Sequence, residues 1–263
     1  MQRAYLYSYC YRDEIWTVKG DIERAQNLLK DCIEKAGEFY AEFPQDDPES
    51  FRIMRLKASK GRNLANSFSI QQEYAKAIEA LDIAIADTEI AATHTDAQTD
   101  GFLMRDRTIG YWRRAYAHSY LENYEAALSD YKKALEFTNM RLEIDPNDRD
   151  ATWFYYVIIA ERATPLQALD RHKDAEDGLL QTLKWYEKRF EEKSDAADRL
   201  ANLFVHHAML GDFYKKVPNK TKACASLSEA KNYYRIMQRN ETATALDDIN
   251  YENVIKLADG CDL

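Results

Sequence analysis

Histidines, carboxylates and cysteines are the side chains of this sequence that could do chemistry, so their spacing comes first. Five histidines stand at 94, 118, 172, 206 and 207. His206 and His207 are adjacent; on a helix they point about 100° apart, and no carboxylate or cysteine stands at metal-ligand spacing from them. They read as ordinary helix residues. The carboxylate pairs Glu191-Glu192 and Asp247-Asp248 lie in charged stretches and read as solvated faces. A phosphate-binding glycine loop, a Gly-x-Ser-x-Gly elbow, a His-Glu-x-x-His helix and a Gly-x-Gly-x-x-Gly turn are all absent from the sequence. Asn219-Lys-Thr221 and Asn240-Glu-Thr242 match the glycosylation acceptor pattern, which arises often by chance. This inventory points away from an enzyme and from any metal site or cofactor, and toward binding.

The elements that would present a binding surface follow from composition. The 263 residues are 46% hydrophobic, ample for a core, and hold only eight glycines and five prolines. That is about 5% of the chain, where ordinary usage is nearer 12%, too few turn formers for a many-stranded sandwich or barrel. An all-α protein is expected. The net charge of −9 has the wrong sign for neutralising nucleic-acid phosphates or docking on an anionic leaflet. The longest hydrophobic run, Trp153 to Ala160, has eight residues, too few for a direct membrane insertion by this segment. The tyrosine-rich start, Met1 to Cys10, carries no apolar leader core and already reads as a helix interior, so the chain is expected to be a piece of a longer protein.

One pattern recurs along the whole chain. Five segments superimpose without gaps: Ala25-Gln-Asn-Leu-Leu-Lys-Asp-Cys-Ile33, Ala77-Ile-Glu-Ala-Leu-Asp-Ile-Ala-Ile85, Ala127-Leu-Ser-Asp-Tyr-Lys-Lys-Ala-Leu135, Ala175-Glu-Asp-Gly-Leu-Leu-Gln-Thr-Leu183 and Ala223-Cys-Ala-Ser-Leu-Ser-Glu-Ala-Lys231. Their leading alanines are 52, 50, 48 and 48 residues apart. In each, a large residue stands four on (Leu29, Leu81, Tyr131, Leu179, Leu227) and a small one seven on (Cys32, Ala84, Ala134, Thr182, Ala230). Positions i, i+4 and i+7 share one helix face, so the small residues admit a neighbouring helix and the large one fills its groove. About twelve residues earlier stand Leu64-Ala65 and Leu210-Gly211, each followed by an aromatic, Phe68 and Tyr214. That is a second helix, antiparallel to the first.

Tyr120-Leu-Glu-Asn-Tyr-Glu-Ala-Ala-Leu-Ser-Asp-Tyr-Lys-Lys-Ala-Leu-Glu136, closed by Asp145-Pro-Asn147, resembles the second half of a tetratricopeptide repeat (TPR), and Met209-Leu-Gly-Asp-Phe-Tyr214 resembles the first half of another. The resemblance runs over roughly residues 5 to 240, with units stretched to about 50 residues from the usual 34 or so. Asp13 and Ala163 depart from it, standing where the family favours glycine. It implies a right-handed α-solenoid of about five antiparallel helix pairs, in units of about 2–46, 48–98, 100–147, 149–194 and 195–240, as one superhelical domain. A capping helix over 245–258 would cover the last apolar face. Breaks are expected at Gly20, 43–48, Gln71-Gln72, 94–100, Glu122, 145–148, Arg171, Ser194, 217–219 and Asn240.

In such arrays the first helix of each pair lines the concave surface and holds peptides. The resemblance places there Tyr7, Cys10, Tyr11 and Glu14; Ser59, Arg62, Asn63 and Asn66; Ile109, Trp112, Arg113 and Tyr116; Val157, Ala160, Glu161 and Thr164; and Val205, Ala208, Met209 and Asp212. Arg62, Asn63, Asn66, Trp112, Arg113 and Tyr116 are the candidate peptide-groove residues. Arg62 and Asn66, at i and i+4, could hold a carboxylate, with Arg113 converging from the next unit. The chain's 18 tyrosines suit either an interface or packing between helices.

Four cysteines complete the reading. Cys10 and Cys32 fall on the two helices of the first unit, at heights antiparallel packing brings close. Cys224 lies early in the last repeat helix and Cys261 at the end of the capping helix. Two such candidate disulfides would suit an oxidising compartment, four reduced thiols a cytoplasmic one. The long unit, the linker Glu143 to Asp148 and the cysteine pair around the last helices also resemble the C-terminal TPR regions of bacterial serine/threonine kinases and winged-helix membrane regulators. That resemblance implies an extracytoplasmic, periplasmic location. The expected function is a non-catalytic protein- or peptide-binding scaffold. An extracytoplasmic sensor domain of a bacterial membrane signalling protein and a self-assembly module, a homo-oligomer, are the alternatives.

Overall fold

The computed structural model describes Leu6, Cys10 and residues 20–44, 47–93, 100–192 and 197–261, except the side chain of Leu246. Every regular element among the described residues is an α-helix. In chain order these are α1 Ile22–Glu42, α2 Pro48–Ile70, α3 Tyr74–Ala91, α4 Gly101–Tyr120, α5 Tyr124–Ile144, α6 Arg149–Glu161, α7 Ala163–Ala168, α8 His172–Glu192, α9 Ala197–Lys216, α10 Lys220–Arg239 and α11 Ala245–Leu257. The chain divides into two compact units, Met1–Ile158 and Ile159–Leu263.

The recurring small–large–small triplet is the packing code. Alanines 25, 77, 127, 175 and 223, the large residues four on and the small ones seven on are all buried, none more than 2% exposed. Each triplet lies on a second helix of its pair, α1, α3, α5, α8 or α10. In the first unit α2 packs on α1, α3 and α4, and α4 on α3 and α5. Gly61 of α2 marks the closest approach: a Cβ there would lie 2.9 Å from Ala84 Cβ on α3. In the second unit a close approach falls one turn later in the repeat, at Gly211 of α9, the counterpart of Ala65, where a Cβ would meet Leu227 of α10 at 2.5 Å.

The turns inside the pairs repeat too. Gln72, Glu122 and Asp170 sit 50 and 48 residues apart with φ of 60°, 59° and 57°. Each lets the next amide reach back past the helix end: Glu73 N–H donates to Phe68 O at 2.9 Å, Asn123 to His118 O at 2.9 Å and Arg171 to Leu166 O at 2.8 Å. This Schellman-type closure aims the following helix back along the first.

One expected helix is in two pieces. The first helix of the fourth unit breaks between α6 and α7 at Arg162. Pro165 has no N–H to give the Glu161 carbonyl and its ring crowds that oxygen. Ala163, which departs from the family pattern, is the first residue after the break and is buried. The expected breaks within the described residues otherwise fall at or between helix ends, Pro48 being the first residue of α2; 45–46, 94–99 and Ser194 lie outside them.

The last helix covers apolar surface as a cap does. Tyr251 of α11 stacks on Tyr234 of α10 at 3.9 Å between ring centres, and Val254 is 1% exposed against Met237 and Tyr234. Asp247 corrects the reading of Asp247-Asp248 as a solvated pair. It is 7% exposed and forms a capping box with Thr244, while Asp248 accepts a hydrogen bond from the Tyr234 hydroxyl at 2.6 Å.

Candidate functional site

The face of α4 that lies toward α2 and α6 carries the densest polar chemistry of the first unit. Asp100 starts α4, its Oδ1 accepting from the amides of Phe102 and Leu103 at 2.8 and 3.2 Å. Asp47 does the same for α2 through Glu49 N–H at 2.8 Å, with Pro48 at the first position. With both helices fixed at their starts, residues 105, 109, 112 and 116 of α4 fall on one stripe, and 106 and 113 on the stripe beside it.

Asp106 sits between two guanidinium groups of α2. Its Oδ1 accepts from Arg62 Nη2 at 2.7 Å, and its Oδ2 from Arg55 Nε and Nη2 at 3.0 and 2.9 Å. Arg62 also donates to Thr88 Oγ1 of α3 at 3.3 Å. Only 4% exposed, Arg62 has its pKa lowered by burial, partly offset by Asp106. Its charge is spent inside the fold. The sequence reading made Arg62 a direct contact for a ligand; the geometry makes it a strut that places its neighbour.

That neighbour is Arg113. Its Nη1 donates to the Arg62 carbonyl at 3.0 Å, and among the described residues no carboxylate pairs with it. Burial, then Arg62 and Arg105, push its pKa down to about 10, which leaves it charged at neutral pH. A half-buried guanidinium with five donors, one acceptor and two cationic neighbours has unused capacity for an anion. Asn63 beside it on α2 is half-buried and Asn66, one turn on, is exposed.

Aromatic rings continue the surface. Trp112 meets Trp153 and Phe154 of α6 edge-on, with centroids at 6.0 and 5.6 Å. One turn along α4, the Tyr116 hydroxyl donates to that of Tyr120 at 3.1 Å, and Tyr120 stacks on Tyr74 of α3 at 4.5 Å. Trp112, Arg113 and Tyr116 are all half-exposed. The structure therefore brings Asn63, Asn66, Trp112, Arg113 and Tyr116 onto adjoining α2 and α4. Arg105 and Trp153 are half-exposed beside them, Asp106 lies buried beneath, and all three were missed. Asp106 and Arg105 stand seven residues before Arg113 and Trp112, a spacing of one face that the sequence does carry.

Other expected positions fare differently. Tyr7, Tyr11 and Glu14 lie outside the described residues, and Cys10 is 2% exposed and bonded. Ser59, Ile109 and Val157 are half-exposed. In the second unit Ala160 is buried, Glu161 half-exposed and Thr164 exposed, while Asp212 on α9 is held by Lys216 at 2.6 Å. His206 and His207 are both buried: His206 Nε2 lies 2.8 Å from Leu179 O, and His207 stacks on Tyr233 at 5.5 Å. No group of histidine, cysteine or carboxylate side chains among the described residues is arranged to hold a metal ion. No helix there is long and apolar enough to cross a membrane.

The cysteines pair as the sequence suggested, Cys10 with Cys32 and Cys224 with Cys261, at Cα separations of 5.3 and 5.5 Å. Leu6, Cys10, Cys32 and Leu56 form one buried cluster around the first bridge.

Known structures share this arrangement of helices. BtubC (BKLC) from P. vanneervenii superimposes with a TM-score of 0.60 and 18% identity, over 86% of this chain and 78% of its own. A kinesin light chain-like protein of P. anserina with nearly identical TPR-like repeats does so at 0.58 and 15%, over 89% and 97%. This chain has the TPR-like helical-repeat fold. No family model matches the sequence, and no curated protein matches it. TPR-like folds are helical-repeat scaffolds, commonly for protein interaction, and the likeness at these identities is one of fold. Within the TPR-like frame α2, α4 and α6 are first helices, and α3 and α5 second helices, of their pairs.

Proposed function

We propose that the chain is a non-catalytic protein-binding module that holds an extended peptide against the first helices α2 and α4 of its first unit, through a carboxylate of that peptide. The observation that carries this is Arg113, a charged, half-buried guanidinium with one backbone acceptor and no carboxylate partner among the described residues. Arg62 and Asp106 set its position. Asn63 and Asn66 supply amides beside it, and Trp112 and Tyr116 offer ring faces for the flanking side chains. A groove whose walls are whole helices is already formed before the ligand arrives, which limits the ordering cost of binding.

The test is selection of peptides from a random displayed library. Acidic peptides should be enriched, and Arg113→Glu should lower their affinity by about 100-fold, the cost of a charge-assisted pair turned repulsive. Binders without acidic residues, or unaffected by that change, would exclude the reading.

The two bridged cysteine pairs favour a second reading of setting rather than of ligand: a scaffold for an oxidising compartment, in line with the extracytoplasmic alternative. Protein recovered from its native compartment should take up no alkylating reagent unless first reduced.

A further inference from the structure

The two disulfides sit in opposite surroundings. Cys10 and Cys32 are 2% and 1% exposed, enclosed with Leu6 and Leu56 and with Phe39 packed against them. Cys224 and Cys261 are both half-exposed. A thiol reagent in solution reaches the second bridge while the protein stays folded, and the first only after the surrounding core has opened.

The second bridge also ties down one small element. The helix α11 has 13 residues, too few to persist alone in water, so it exists by docking on α9 and α10. The capping box of Thr244 and Asp247 fixes its start. Beyond its far end Gly260, at φ 79°, turns the chain so that Cys261 meets Cys224 of α10. The other contact at that end is Lys215 Nζ donating to Asp259 O at 2.8 Å, an exposed hydrogen bond. Beneath α11 lie Tyr234 and Met237, 4% and 0% exposed.

We propose that Cys224–Cys261 is a redox latch on the last helix: a dithiol reductant opens it in the folded protein, α11 lifts, and the apolar face around Tyr234 and Met237 comes into solvent, while Cys10–Cys32 stays closed. Cys224 is the fifth residue of α10, one turn on from Lys220, and the helix N-terminus and that lysine favour its thiolate. The reductant's thiolate therefore attacks Cys261 Sγ, the bond between the two sulfurs breaks, and its electron pair leaves on Cys224 Sγ, the better leaving group. The second thiolate of the reductant then displaces Cys261 from the mixed disulfide. Two electrons and two protons pass to this chain, giving two thiols, and the dithiol becomes a disulfide. The latch rests on no part of the peptide groove, which lies in the first unit.

The probe is dithiothreitol acting on the folded, oxidised protein, with N-ethylmaleimide trapping freed thiols at successive times and peptide mass mapping to locate them. Cys224 and Cys261 should be trapped at least about tenfold faster than Cys10 and Cys32. In protein stopped at that stage, the amides of residues 249–257 should exchange with deuterium at least about tenfold faster than in the oxidised form, with the Leu203 amide of α9 unchanged, as release of one helix requires. Reoxidation with glutathione disulfide should restore the slow exchange, and the double variant Cys224→Ser, Cys261→Ser should exchange as the reduced protein does. Equal opening of the two bridges would overturn the latch. So would α11 amides that exchange no faster after reduction, or a Leu203 amide that quickens along with them.

Discussion

Burial keeps His206 and His207 neutral, and that ties the stability of the second unit to pH. Their pKa values are pushed down to about 4 from 6.5, chiefly by loss of solvent around the charged form. An unfolded chain binds their protons below pH 6.5 while the folded one does not, so stability is full above about 6.5 and falls as pH drops toward 4. At about 1.4 kcal/mol per pKa unit the loss is on the order of 3 kcal/mol for each ring. His207→Phe, which keeps a ring against Tyr233, should flatten the fall in urea midpoint between pH 7.5 and 4.5; an unchanged slope would contradict it. The sequence showed that neither ring has metal-binding company at ligand spacing, but not their burial, because His206 reaches the Leu179 carbonyl from a different helix, 27 residues away. Arg62 was misread for the same reason. Its partner Asp106 lies 44 residues on, and nothing local distinguishes a buried strut from a ligand contact.

At the scale of the helix, spacing alone carried most of the fold. Fifteen positions named from a small–large–small rule are all buried on the second helices. The rule works because a face of an α-helix repeats every three to four residues wherever it packs. The break at Pro165 escaped it, since proline inside a strongly periodic stretch either kinks or ends a helix and the sequence does not say which. The same packing predicts opposite outcomes for two glycines. Gly61→Ala forces a Cβ to 2.9 Å from Ala84 and should cost about 1 to 3 kcal/mol, more than the helix propensity it gains. Gly37→Ala meets only Lys57 Cε at 3.8 Å and should stabilise by about 0.5 to 1 kcal/mol. Urea denaturation of the two variants checks both signs.

For the molecule as a whole, each unit carries its own covalent tie. The bridges close 22 and 37 residues of chain, and each should contribute about 3 to 4 kcal/mol by restricting the unfolded state. Reduction should therefore lower the unfolding midpoint in both units, and Cys224→Ser together with Cys261→Ser should affect the second while leaving Arg113-dependent capture intact, since the groove lies wholly in the first. Which peptide the proposed groove would select was not legible in the sequence. TPR-like scaffolds share their helix packing across unrelated partners, and selectivity rests on a few exposed side chains whose company is set by the fold. The face of binding is the central claim, and site-specific photo-crosslinking addresses it most directly. With a benzophenone side chain at Asn66 or Tyr116, a library-selected acidic peptide should be captured covalently, and the same group at Glu79 or Lys132 on the second helices should capture none. Cross-linking from Glu79 or Lys132, with none from Asn66 or Tyr116, would contradict the account.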